Sequence, residues 1–292
     1  MGQLTSNRLA YLYTLPALAI MALVVLYPFI YNVIISFSNM NLMHFREWHL
    51  IGLKNYQAVL GETSFWYFFG KTILWTVINL FFHVSIGIFL ALLLNKALRG
   101  KSIFRTLLIL PWAVPQYITA LTWRGMFNSE YGAANLLLNE ILGLSIPLTT
   151  EWGAFTACLI TNIWLGFPFM MIIALGGLQS IPAALYEAAE IDGASWFQQF
   201  KNITIPLLKP VMVPAITLGV IWTFNNFNVV WLVSNGGEPS DKTHILVSWV
   251  YKSGFTYFRM GYAAAFSMII FLILLTFSWN FIKRTKAAES VY

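Results

Sequence analysis

Six stretches of the chain run free of Asp, Glu, Lys and Arg for about the 20 residues a helix needs to cross a hydrocarbon layer. They cover 9–43, 72–94, 106–123, 152–186, 210–237 and 260–282. Local breakers trim them to expected helical spans of about 9–37, 72–94, 106–123, 152–179, 210–233 and 260–282. Ser36, Ser38 and Asn39 mark the exit from the first span. Ile181-Pro182 ends the fourth, and Asn235-Gly236-Gly237 follows the fifth. The first stretch is far longer than the 7–15 apolar residues of a leader and lacks a small-x-small cleavage site, so it is expected to be retained. The pattern predicts an all-α integral membrane protein with six transmembrane helices in one domain over 1–292, with no soluble domain and no clear internal repeat.

Charge sets the expected orientation. With both termini in the cytoplasm, the inner segments hold Arg8, Lys96, Arg99, Lys101, Arg105, Lys201, Lys209, Lys283, Arg284 and Lys286, ten of the seventeen basic residues. The positive-inside rule favours that arrangement. Composition agrees with membrane residence: 59% of residues are hydrophobic and 10% charged, against about 25% charged in a soluble domain. A soluble globular enzyme and a disordered chain are excluded. Cys158 is the sole cysteine, so an internal disulfide framework and a cysteine-based zinc site are excluded too. The net charge of +6 resides between and beyond the apolar blocks, which suits lipid headgroups rather than nucleic acid.

Little in the chain suggests chemistry. There is no HExxH motif. Gly100-Lys101-Ser102 ends like a phosphate loop, but Asn95 stands where that loop needs glycine. Asn202-Ile203-Thr204 fits the short glycosylation pattern on the expected inner side. His83 is the one ionisable group well inside a span, and an interhelical hydrogen bond accounts for it better than a proton relay without an acidic partner.

The segment from about 181 to 209 carries the most information. Residues 183–191 have good helix propensity, and Asp192-Gly193 ends them with a left-handed cap. Ser195 is placed to cap a second turn bearing Trp196, Phe197 and Phe200. Two short helices hinged at glycine make a knob with an acidic, alanine-rich flank. A helix lying on the membrane interface would favour Lys and Arg, not Glu187, Glu190 and Asp192.

These residues resemble a known family. Glu187-Ala188-Ala189 followed by Gly193 and Ile205-Pro206 is similar to the EAA signature loop of ATP-binding-cassette (ABC) importer permeases. Leu110-Pro111-Trp112-Ala113-Val114-Pro115, then 164–171, Phe224-Asn225-Asn226-Phe227 and Ser234-Asn235-Gly236-Gly237 extend the likeness from about Arg105 onward. The ordered set resembles the carbohydrate-uptake group, and within it the larger permease subunits of maltose and maltodextrin importers. Six spans and a short first external segment are expected here, without the extra N-terminal helices and the folded external domain of the best-studied such subunit.

The resemblance implies a type I ABC importer permease fold in a bacterial or archaeal cytoplasmic (inner) membrane, and no enzymatic chemistry. It implies a second permease as heterodimer partner, two ABC ATPase subunits and an extracytoplasmic sugar-binding protein. ATP and Mg would be bound by the ATPases, with no cofactor or metal in this chain. Glu187, Ala188, Ala189, Asp192 and Gly193 would form the ATPase-coupling joint. Sugar would bind at Trp112, Gln116, Leu165, Gly166, Phe169, Gly219, Trp222, Thr223 and Asn226. The spacing 219, 222, 223, 226 independently predicts one helical face combining an aromatic ring, a hydroxyl and an amide. Helix-packing polar residues are the plain alternative. A permease for another solute such as glycerol phosphate, or a self-sufficient channel or carrier, would share the spans; the second would leave the acidic knob unexplained.

Overall fold

The computed structural model describes residues 2–96 and 99–285, with side chains from residue 11 to 281 and at Lys283. Lys286 lies outside the described residues, as do the side chains of Arg8 and Arg284. Among the described residues the regular structure is helical, apart from an isolated bridge between Ser38 and Leu50. Helix α1 (Gly2–Met21) runs through a π-helical turn at Ala22–Leu26 into α2 (Tyr27–Ser36). There follow α3 (Lys54–Gly61), α4 (Thr63–Asn95), α5 (Lys101–Ala113), α6 (Gln116–Met126) and α7 (Ala133–Leu142). Next come α8 (Glu151–Ser180), α9 (Ala183–Ile191), α10 (Trp196–Gln199) and a π-helical turn at Phe200–Thr204 leading into α11 (Ile205–Phe224). Then α12 (Phe227–Val233) and α13 (Leu246–Tyr251) precede a π-helical turn at Lys252–Thr256 and α14 (Met260–Thr285).

Among the described residues, five helical runs are long and apolar enough to cross a membrane: Tyr11–Ser36, Thr63–Asn95, Glu151–Ser180, Trp196–Val233 and Met260–Phe281. The expected third span, 106–123, is instead two helices, α5 and α6. Val114 is extended (φ −79, ψ 135) because the ring of the following Pro115 disfavours helical geometry before it. Pro115 in turn starts α6, its carbonyl accepting from the Ile118 and Thr119 amides at 3.0 and 3.1 Å. The fifth span also differs: helix extends N-terminal to Pro210, and the chain breaks at Asn225-Asn226 before α12.

The chain forms two compact units. One comprises Met1–Phe65 and Val250–Leu272. In it Gly261 donates its amide to Met40 O at 2.8 Å, and an added Cβ there would lie 2.3 Å from Ser38 O, so only glycine permits the approach. Glu62 accepts from Arg259 at 3.2 Å and from the Tyr262 hydroxyl at 2.7 Å.

The other unit comprises Trp66–Trp249 and Ile273–Tyr292. Here α8 is the central element, packed on α5, α6, α11 and α12. Met170, Met171, Ala174 and Leu175 of α8 bury against Leu208 and Met212 of α11. Trp75, Phe127 and Phe155 form a second buried cluster with Val229, Val230 and Val233 of α12. Asn135 ties the loop between α6 and α8, donating to Phe127 O and Ile146 O at 2.7 and 3.0 Å and accepting from the Ile146 amide at 2.8 Å. Lys71, buried near the start of α4, meets Glu151 at 3.0 Å and Lys242 O at 2.6 Å. Spans counted only by their charge-free length place Lys71 outside the apolar layer; its buried ion pair shows how a cation is accommodated at that edge.

Candidate functional site

Both helix breaks open onto one cavity of about 650 Å³ within the second unit. Its walls are His83 of α4, residues 112–116 at the α5–α6 break, part of α8 from Asn162 to Met170, and the α11–α12 junction from Gly219 to Asn228. A break releases backbone groups from the helical ladder, and apolar surroundings tolerate that only beside protein or a polar cavity.

The junction between α11 and α12 is held from three sides. Trp75 of α4, fully buried, donates its indole N–H to Thr223 O at 2.8 Å. The same carbonyl accepts the Asn226 amide at 3.1 Å. Asn226 then caps α12: its Oδ1 accepts from the Val229 amide at 3.2 Å. Asn226 Nδ2 donates to Asn162 Oδ1 at 2.7 Å, joining α12 to α8. Beside this pair, Asn228 Nδ2 donates to Gln116 Oε1 at 3.1 Å, joining α12 to α6.

All nine residues expected to bind solute line this cavity: Trp112, Gln116, Leu165, Gly166, Phe169, Gly219, Trp222, Thr223 and Asn226. The reason for the grouping at 219–226 needs correction. Asn226 does not continue the face of α11, because its side chain caps the next helix instead. Thr223 and Leu165 are largely buried, whereas Trp112 and Trp222 are more than half exposed. Trp222 and Phe169 meet edge-on, 5.2 Å between ring centroids. Both glycines are sites of close packing. An added Cβ on Gly219 would lie 2.6 Å from Met170 Cε, and on Gly166 2.2 Å from Cε1 of His83.

Among other lining residues, sequence reasoning left out Asn162, Ile221 and Met170, and weighed Asn228 and His83 as packing residues. Asn162 stands three and four positions before Leu165 and Gly166, so helical periodicity could have placed it on their face. His83 does make the interhelical bond, Nε2 to Asn162 O at 2.9 Å, but its ring also forms cavity wall. Among the described residues, the lining contains no Asp, Glu, Lys or Arg.

The second candidate site is the knob. Helix α9 ends as its sequence predicts: Gly193 is left-handed (φ +77), its amide bonds Glu190 O at 3.0 Å, and the Ala194 amide bonds Ala189 O at 2.9 Å. Ser195 begins α10 with a reciprocal cap, accepting from the Gln198 amide at 3.4 Å while its own amide donates to Gln198 Oε1 at 2.7 Å. Glu187, Ala188, Asp192 and Gly193 are exposed and Ala189 half-buried. Ile191, Trp196 and Phe197 also project outward, exposed by 87%, 62% and 63%. Carboxylates beside bare apolar side chains are suited to a protein groove.

A helical bundle interrupted around an uncharged cavity, with an exposed acidic and apolar knob, defines an integral membrane transport subunit. The chain belongs to the family of inner membrane components of binding-protein-dependent transport systems, whose family model matches residues 83–285. It is 36% identical to the trehalose/maltose transport system permease protein MalF of Thermococcus litoralis, covering 94% of this chain and 93% of that one. It is 35% identical to the galactooligosaccharides transport system permease protein GanP of Bacillus subtilis, over 97% of this chain and 71% of that one. Among solved structures it is similar, at a TM-score of 0.84 and 20% identity over 99% of both chains, to a chain of a bacterial ABC transporter involved in the import of the acidic polysaccharide alginate. The fold is therefore that of type I ABC importer permeases. The family is one of permease subunits, not a catalytic one.

Proposed function

We propose that this chain is a permease subunit of an ATP-driven sugar importer and supplies part of the translocation path. The observation that carries this reading is the convergence of the nine residues implied by the family resemblance on one uncharged cavity at two helix breaks. Side-chain amides both donate and accept hydrogen bonds, as sugar hydroxyls do. Trp112, Trp222 and Phe169 offer faces to the apolar C–H surfaces of a sugar ring. An anionic solute such as glycerol phosphate would lack a counter-charge among these lining residues. The sugars named for its relatives, trehalose, maltose and galactooligosaccharides, are neutral.

In this reading the chain pairs with a second permease, two ABC ATPases dock beneath, and an extracytoplasmic binding protein delivers sugar. The chain itself performs no chemistry, and ATP and Mg are held by the ATPases. The protein sits in the cytoplasmic membrane with both termini inside, which puts the knob on the ATPase side. Glu187 and Asp192 supply polar contacts in the ATPase groove, Ala188 and Ala189 allow close approach, and Gly193 makes the turn. ATP binding shifts the permease only as far as it favours one conformation, so the joint must transmit force stiffly.

The test is reconstitution of the chain with its partners in proteoliposomes. ATP-dependent uptake of maltose or trehalose from the loaded binding protein is expected. Uptake without the ATPases would establish a self-sufficient carrier and overturn the reading.

A further inference from the structure

Resting on the cavity reading above, we propose that His83 is a specificity-determining residue, whose Nδ1 accepts a hydrogen bond from one hydroxyl of the transported sugar. The argument begins with the other ring nitrogen. Nε2 faces the main-chain carbonyl of Asn162 at 2.9 Å. A carbonyl can only accept, so Nε2 must carry the proton, and the neutral ring then has its lone pair on Nδ1. The tautomer is thus fixed by a partner 79 residues away in sequence.

Nδ1 has no protein partner among the described residues. The ring is 4% exposed, yet it forms part of the cavity wall. It lies against Gly166 so closely that an added Cβ there would come within 2.2 to 2.7 Å of three ring atoms. The glycine therefore makes room for the imidazole and holds its plane. Neighbouring groups are already engaged: Asn226 uses Oδ1 on the Val229 amide and Nδ2 on Asn162, and Asn162 uses Oδ1 on Asn226. What remains open at the cavity wall is the acceptor on His83, since Asn162 Nδ2 is itself buried away from the cavity. A sugar hydroxyl can donate the one hydrogen bond this acceptor needs. A bound sugar excludes water from this wall, so one lacking that hydroxyl would leave the acceptor empty and should be penalised.

The test uses the whole importer in proteoliposomes, with binding protein saturated so that its own affinity does not enter. The parent sugar is whichever of maltose, trehalose and galactobiose the wild type carries fastest, and the probes are its monodeoxy analogues. Wild type should discriminate against one analogue by about 2- to 10-fold, the worth of one net hydrogen bond. His83→Gln keeps a donor near Nε2 but loses the acceptor at Nδ1. It should slow the parent sugar by a similar factor and abolish discrimination at that one hydroxyl. His83→Asn, with a group near Nδ1 but no reach to Asn162 O, should retain the discrimination. An equal loss for parent and all analogues in His83→Gln would show that His83 only pins α4 to α8, and an unchanged profile would also overturn the proposal. Asn226→Ser separates this from the underlying reading. If it impairs uptake while His83→Gln changes nothing, only the His83 proposal falls. If neither has any effect, or the wild type carries none of the three sugars, the cavity reading falls with it.

Discussion

Tyr186 Oη and Thr204 Oγ1 lie 2.9 Å apart, tying the middle of α9 to the residue that precedes α11. Helix α11 then runs 20 residues, about 30 Å, and its far end carries Trp222 and Thr223 at the cavity. A push on the knob thus has a direct hydrogen-bonded path to the rod that forms part of the cavity wall. Tyr186→Phe removes that bond and little else. It should lower sugar taken up per ATP hydrolysed by about 2- to 10-fold, the worth of one net hydrogen bond. The ratio of uptake to ATP hydrolysis in proteoliposomes measures this directly, and an unchanged ratio would remove the tether from the coupling path.

Gly193 separates backbone strain from docking. Its φ of +77 costs a residue with Cβ about 1–2 kcal/mol, but an added Cβ would meet nothing within 4 Å in this chain. Gly193→Ala should therefore cost only that strain and leave ATPase recovery close to normal. Gly193→Trp should leave the membrane helices intact yet fail to copurify ATPase, because the bulk clashes in the partner's groove. Full transport by the Trp variant would refute the docking role.

The knob was legible in the sequence because its determinants are local: glycine in the cap, serine three residues before glutamine, prolines on either side. The break in the third span was also written there, at Pro115, but counting charge-free length does not detect it. Asn226 misled for the opposite reason. Its spacing from Trp222 imitates one helical face, while the side chain's own bond to the Val229 amide starts a new helix. Partners far apart in sequence were not legible. His83 with Asn162, Trp75 with Thr223 and Lys71 with Glu151 join residues 79, 148 and 80 positions apart, and nothing local distinguishes them.

Lys71 and Glu151 make a pair whose breakage should be felt in stability. Their side chains are 5% and 19% exposed, and the ammonium also lies 5.5, 5.3 and 4.9 Å from the ring centroids of Tyr67, Trp152 and Phe155. The Tyr67 hydroxyl donates to the same carboxylate oxygen. Lys71→Met leaves that carboxylate without its cation, a loss of about 3–5 kcal/mol for a fully buried pair and less here because Glu151 retains some solvent. Thermal unfolding in detergent should show a clear drop, and adding Glu151→Gln should recover part of it. Strictly additive losses would mean the two side chains are not coupled.

Trp222 and Asn226 test the cavity itself. Asn226→Ala would remove the cap of α12 as well as the amide, at about 1 kcal/mol of helix stability, so a loss of uptake would have two explanations. Asn226→Ser keeps a capping oxygen and removes the amide donor that meets Asn162. It should reduce uptake severalfold, as expected for one net bond. Trp222→Ala should cost more, because it deletes a broad, half-exposed ring that meets Phe169 edge-on. Neither change should alter sugar affinity of the binding protein, which is a separate chain. Uptake at equal membrane abundance, alongside ATPase activity stimulated by the loaded binding protein, discriminates the outcomes. Lower uptake with intact stimulated hydrolysis places both residues on the solute path. Equal loss of uptake and hydrolysis would assign them to the packing that holds α8, α11 and α12 together, and normal uptake in both variants would place the solute path elsewhere.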